Sequence, residues 1–159
     1  MKFSKLKKSL MIMGVCVLSL GAVACSKEET KVVDLVQVQD VINTPELMNE
    51  QSVGVTDPKE HYIFEEVKDS IEDGFMIQAM MNVKLNDVFV VKTSNPDVIK
   101  EKIEDYKTNN LRMFGDGYGG EDNITAVANA KLDQVGDYVY FIATKNSDEV
   151  EAKLLEQLK

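Results

Sequence analysis

Tryptophan is missing from this 159-residue chain, and its histidine, arginine and cysteine come down to His61, Arg112 and the pair Cys16 and Cys25. These shortages exclude chemistry. A zinc site needs three or four fixed ligands, and one histidine among mobile carboxylates does not supply them. Phosphate contacts need clustered cations, and a chain with 27 acidic and 18 basic residues has none to spare, so no nucleic-acid partner is expected. The serines after residue 25 lack a G-x-S-x-G elbow, and no cysteine follows Cys25, which leaves nucleophilic catalysis without a seat. The expectation is a protein that is not an enzyme and uses no metal or cofactor.

What is present begins at the N-terminus. Lys2, Lys5, Lys7 and Lys8 precede an apolar run from Leu10 to Ala24, with no acid before Glu28. A cationic segment followed by about 15 apolar residues has the form of a signal peptide, and is shorter than the roughly 20 residues of a spanning helix. Ala22, Val23 and Ala24 stand immediately before Cys25. Small residues ahead of a cysteine resemble the lipobox of bacterial lipoproteins, in which cleavage leaves a diacylglyceryl-cysteine at the new N-terminus. Ala22 stands where that family usually carries leucine. The same tripeptide is also a small-x-small site for ordinary cleavage, which would leave Cys25 a free thiol.

Lipidation is the preferred reading. It gives residues 1–24 as the signal, cleavage between Ala24 and Cys25, and residues 25–31 as lipidated cysteine and polar tether. Two acyl chains hold a protein to a membrane where one holds marginally. The expected place is the outer leaflet of the cytoplasmic membrane, with Cys25 as the attachment.

Removing residues 1–24 takes away four lysines and no acid, leaving 14 basic against 27 acidic residues, or −13. Such a domain would be repelled by anionic headgroups. With Cys16 in the removed segment and Cys25 acylated, no disulfide is available, and residues 32–159 must be held by their core.

Along that domain, Thr44-Pro45-Glu46 is a helix start with hydroxyl cap and proline at the first position, so residues 32–56 read as a helix interrupted near residues 42–45. Thr56 or Asp57 with Pro58 opens a second, short helix. "FMIQAMMNV" and "DVFVVKTS" read as a strand hairpin. "NPDVIKEKIEDYKTNNLRMF" is a helix with Asn95 as cap and Ile99, Ile103 and Tyr106 on one face. "ITAVANAKLDQ" and "DYVYFIAT" read as a second strand pair around Val135-Gly136-Asp137, and a last helix carries Val150, Leu154, Leu155 and Leu158 on one face. Residues 88–103 lie over 139–154 at an offset of 51, with Val88/Val139, Thr93/Thr144, Asn95/Asn146, Asp97/Asp148 and Lys102/Lys153 identical. Such self-similarity suggests a repeated strand–strand–helix unit, although any strand followed by a capped helix looks alike. The expected fold class is α+β: an antiparallel sheet of about four strands in a ββα–ββα order, helices mainly on one face, behind an N-terminal helical segment.

A charged signal ending in cysteine, then "MMNVKLNDVFVVKTSNPDVIKEKIEDY", a loop with Tyr118, "AVANAKLDQVGDYVYFIAT" and an acidic last helix together resemble a family of small lipoproteins of monoderm, Clostridia-like bacteria catalogued as a domain of unknown function. The resemblance runs from about residue 32 to the end. It implies cell-surface attachment and an α+β fold, and it carries over no catalytic residue.

The loop "GDGYGGEDN" (115–123) holds the candidate ligand or partner residues Asp116, Tyr118, Glu121 and Asp122. It is not a P-loop, because Glu121 follows its last glycine where lysine is required, and its acids lack EF-hand spacing. Met76, Met80 and Met81 read as core packing rather than a copper site, and His61 as a solvated helix residue. The function expected is a membrane-anchored binding or adaptor module that meets an envelope protein. The alternative is a small-molecule or cation-binding accessory protein using the 115–123 loop and the acidic surface.

Overall fold

The computed structural model describes residues 33–48 and 53–159, all within the compact unit Lys31–Lys159. The signal, Ala24, Cys25 and the tether lie outside the described residues. Five strands form one antiparallel sheet: β1 (Val53–Thr56), β2 (Ile71–Ala79), β3 (Asp87–Thr93), β4 (Lys131–Val135) and β5 (Tyr138–Ala143), in the order β1-β2-β3-β5-β4. The central pair is in register from Asp87↔Ala143 to Lys92↔Tyr138.

Helices cover both faces of this sheet. α1 (Leu35–Ile42), α2 (Pro45–Met48) and α6 (Ser147–Leu158) lie on one face, where Val38, Ile42, Met48, Val150, Leu154 and Leu158 pack against Phe75, Ile77, Val88, Val90, Tyr140 and Ile142. On the other face lie α3 (Pro96–Tyr106), α5 (Glu121–Ala128) and the 3₁₀ stretch Tyr62–Ser70, with the short α4 (Arg112–Gly115) packed on α5. There Phe64, Ile99, Ile103, Tyr106, Leu111 and Ala126 cover Met76, Phe89, Val91, Val139 and Phe141. The expectation of helices mainly on one face is therefore corrected. Alternation along β3 sends Phe89 and Val91 one way and Val88 and Val90 the other, and both sets are apolar, so both need a helical cover.

Strand count and order also differ from expectation. The two ββα runs, β2-β3-α3 and β4-β5-α6, are present. β1 was read as the tail of a helix, but Val53 and Val55 pair with Ala79 and Ile77 of β2. "ITAVANA" was read as strand and is α5, whose first turn holds Glu121 and Asp122 at the favourable end of the helix dipole. β2 begins at Ile71, four residues before the segment "FMIQAMMNV", with a register shift between Ile71 and Asp73. The hairpin turn at Gly136-Asp137 lies where expected, Gly136 taking φ +54.

The capping rules apply unevenly. Thr44 Oγ1 accepts from Leu47 N at 3.4 Å and Asp57 from Lys59 N at 2.8 Å. Asn95 makes no side-chain cap on α3; its N–H donates to Thr93 Oγ1 at 2.9 Å. Asn146, before α6, instead donates its amide to the carbonyls of Glu46 and Leu47 and so ties α2 to α6. The equivalent helices of the 51-residue match also run differently. α3 packs over β3, β5 and β4, whereas α6 returns over its own β4–β5 hairpin.

Candidate functional site

Two polar constructions stand out, one at a loop end and one inside the layer of α3. The loop end is built on Asn123, which is buried. Its Oδ1 accepts from Leu85 N at 3.0 Å, and its Nδ2 donates to Val83 O at 2.9 Å and Tyr118 O at 2.8 Å. One side chain thus joins the β2–β3 turn (residues 80–86) to the turn before α5. Gly119 completes the join: its φ is +81, and a Cβ there would stand 2.1 Å from Val83 O and from Asn123 Nδ2. Only glycine fits both the conformation and the space.

The expected site residues are distributed around this knot. Tyr118 is 44% exposed with its ring 5.8 Å from Phe114, half docked and half offered to solvent. Asp122 pairs with Lys145 at 2.9 Å, Asp116 approaches Arg112 at 3.7 Å, and Glu121 is exposed at the start of α5. The carboxylates are turned to separate partners. Among the described residues no three His, Cys, Asp or Glu side chains converge as metal ligands. A hollow of about 20 Å³ beside Asn123, between Lys84, Asn86 and Lys145, has room for one water.

The methionines divide. Met76 is core as expected, but Met80 is 72% exposed and Met81 and Met113 are exposed as well. The core reading is corrected for Met80 and Met81. Both follow the end of β2, where the turn carries the chain off the sheet.

The second construction was missed by sequence reasoning. Asp87 opens β3 at 3% exposure. Tyr106, at the end of α3, donates its hydroxyl to Asp87 Oδ2 at 2.6 Å, and Gln78 Nε2 donates to Oδ1 at 3.3 Å. Burial pushes the carboxyl up to about 6, against the pull of those two donors. The same burial, with the nearby Asp87, drives the Tyr106 phenol upward. Desolvation lowers the basicity of the nearby His61 ring, which lies against Phe89 of β3. His61 is therefore not a solvated helix residue. It is half-buried, its Nδ1 accepts from Ile63 N at 3.5 Å to cap the 3₁₀ stretch, and its ring lies 4.6 Å from Tyr62 and 6.3 Å from Phe89. A single turn of π-helix, Lys107–Leu111, follows Tyr106 and carries Asn110 to the hydroxyl of Tyr62 at 2.9 Å. The available signal was a lone acid heading an apolar strand, in "NDVFVVKT".

Five antiparallel strands between two helical layers, with polar groups gathered at one loop end and in one layer, define a small mixed α/β domain. Residues 43–144 match the family described as Domain of unknown function (DUF4358), and the chain belongs to it. No curated protein and no solved structure matches the chain.

Proposed function

We propose that this protein is a lipid-anchored, extracytoplasmic and non-enzymatic binding module of the cell envelope. Cys25, acylated after cleavage behind Ala24, holds it to the outer leaflet of the cytoplasmic membrane, and the knotted loop end meets a protein partner. The observation that carries the reading is the exposure of Met80, Met81 and Tyr118 on the two turns that Asn123 joins, with exposed Met113 on α4, whose carbonyl accepts from Tyr118 N. Apolar side chains on a backbone already held in place bind with little further loss of backbone freedom. Thioethers adapt to an irregular partner, and a tyrosine offers both an apolar face and a hydroxyl.

The test is crosslinking capture from native membranes, with Cys25→Ser as the unanchored control and the double variant Met81→Ser/Tyr118→Ser as the surface control. One envelope protein should be recovered with the anchored chain and lost with the surface variant, whose unfolding midpoint should match the wild type. Capture that survives the surface variant would sink the loop-end reading. A calcium-dependent rise in melting temperature, lost in Asp122→Ala, would instead favour the cation-binding alternative. Incorporation of labelled palmitate that disappears in Cys25→Ser tests the anchor separately.

A further inference from the structure

The sheet has two edges, and they are finished differently. β4 is blunted by charge: Lys131 pairs with Asp148 of α6 at 2.8 Å, and Asp133 stands exposed on the same strand. Such charges keep a further strand away. β1, at the other edge, is Val53-Gly54-Val55-Thr56, with neither charge nor proline. It pairs with β2 on one side, and among the described residues no other backbone group bonds it. Val55 faces the α1 side, beside Ile77, yet is 44% exposed.

Gly54 is the second sign. Its φ is not positive, and the β1–β2 register runs through it without a bulge. An added Cβ would meet nothing nearer than Met80 Cγ at 3.8 Å, whereas at Gly74 it would stand 2.4 Å from Val90 O. The fold therefore demands glycine at 74 and not at 54, although glycine weakens the interior of a strand. A strand glycine that serves no bulge or bend marks the close approach of another backbone.

We propose that β1 is an interface between two copies of this chain, pairing antiparallel with itself about a two-fold axis that passes beside Gly54. The segment is its own complement. This register sets Val53 against the partner's Val55 and Gly54 against the partner's Gly54, so that the two sheets become one. Opposed residues of an antiparallel pair share a face, and each exposed Val55 is covered by a valine on the α1 side. On the α3 side the facing glycines leave a gap, and Met80, exposed beside Gly54, has the length and flexibility to fill it.

A foreign strand could use the same backbone edge. The second copy is singled out by the symmetric Val-Gly-Val and by the side on which the chain reaches the domain. A two-fold axis perpendicular to the sheet keeps both α1 layers on one side, and Val33 packs in that layer. Residues 26–32 join it to Cys25, so on the anchor reading both copies are held by one membrane. The net charge of −13 opposes association, but none of the paired residues contributes to it, and salt screens the remainder.

The experiment is disulfide crosslinking of the full chain in detergent micelles, with Cys16→Ser and Cys25→Ser so that each added thiol stands alone. Gly54→Cys places two thiols directly opposite, where Cα atoms of an antiparallel pair are about 4.5–5.5 Å apart and a disulfide closes. Mild oxidation should link it into a dimer, faster at about 0.5 M salt than at about 0.05 M. Val53→Cys alone should stay monomeric, because its copy lies two residues out of register, beyond the roughly 7 Å that a disulfide spans. Thr56→Cys should stay monomeric for the same reason, whereas a mixture of Val53→Cys and Val55→Cys chains should link. Adding Val55→Lys to Gly54→Cys should abolish the link and leave the unfolding midpoint unchanged. Linking at Thr56→Cys as fast as at Gly54→Cys would mean chance encounter in the micelle and overturns the proposal. So does the absence of any link, and slow exchange of the β1 amides only after membrane extract is added would then give the edge to a foreign strand. If the Gly54→Cys chain does not fold, the mixture of Val53→Cys and Val55→Cys decides the matter.

Discussion

The two faces of the sheet are made by the same strands and differ in kind. Toward α1, α2 and α6 the filling is mostly aliphatic, and the Tyr140 hydroxyl reaches Glu151 at 2.8 Å near the margin. Toward α3 and α5 the filling is aromatic: Phe89 lies 5.5 Å from Tyr106 and 5.3 Å from Phe141, and Asp87 is buried beside them. Neighbouring residues of β3 thus serve opposite purposes, Val88 and Val90 as inert packing, Asp87 and Phe89 as parts of a polar and polarisable layer. The difference comes from what covers each face. α6 runs regularly for three turns, whereas α3 passes into a π turn that leaves Tyr106 pointing at the strand's one acid.

The strongest way to break that comparison is to hollow out each layer in turn. Phe89→Ala removes a fully buried ring together with its aromatic contacts, and should cost about 4–5 kcal/mol in urea unfolding. Leu154→Ala, equally buried in the aliphatic layer, should cost about 3 kcal/mol. The reverse order would mean that the α6 layer, not the aromatic one, carries more of the stability.

A second comparison uses the same substitution on both faces. Tyr106→Phe withdraws a donor from a buried carboxylate and should cost about 1.5–3 kcal/mol at neutral pH; Tyr140→Phe should cost about 0.5–1.5 kcal/mol. The pH dependence sharpens the contrast. Asp87 titrates at about 6 when folded against 3.8 ordinarily, so the folded state holds its proton more tightly. That contribution is complete below the ordinary value and is lost as pH rises from about 4 to about 6. It is worth about 3 kcal/mol across the window. Asp87→Asn should flatten that part of the stability profile, as read from unfolding midpoints at pH 4, 5, 6 and 7. A slope unchanged in the variant would place the titrating group elsewhere.

The sequence showed the parts better than their covering. Ile99, Ile103 and Tyr106 announced the buried face of α3, and Gly136-Asp137 the hairpin, because those signals are local. Helices on both faces were also announced, by the absence of polar alternation in "DVFVVKT" and "YVYFIA", and a one-sided reading passes over that sign. α5 was misread because Ile124 and Val127 are β-branched, while the glycine before it and the acids of its first turn spoke for a helix. At the loop end the numbers 116–122 were visible but their fastening was not. Asn123 bonds the Val83 carbonyl and the Leu85 N–H, some 40 residues away, and that separation has no local pattern. The Asp87 group joins Gln78 of β2 and Tyr106 of α3 to the first residue of β3, so a sequence shows its members and not their meeting.

The smallest expected effect separates two carboxylates of the α3 side by sign rather than by size. Lys102 pairs with Glu66, joining α3 to the 3₁₀ stretch, and Lys131 pairs with Asp148 at 2.8 Å, joining β4 to α6. The Lys102 ammonium holds the Glu66 carboxyl below its ordinary range. Glu66 therefore acts opposite to Asp87: its stabilisation is present above the ordinary glutamate value and is lost as pH falls through the lowered one. Glu66→Gln should consequently soften the acid limb of the stability profile chiefly below the ordinary glutamate value of 4.5, leaving the upper part of the window, toward pH 6, to Asp87. Both carboxylates of these pairs are open to solvent, so each pair should fade at about 1 M salt, where screening acts within about 3 Å. A double-mutant cycle for each pair, run at low and high salt, measures this. A coupling that persisted at high salt on the α3 side alone would show that the polar layer shields its edge from solvent as well as its core.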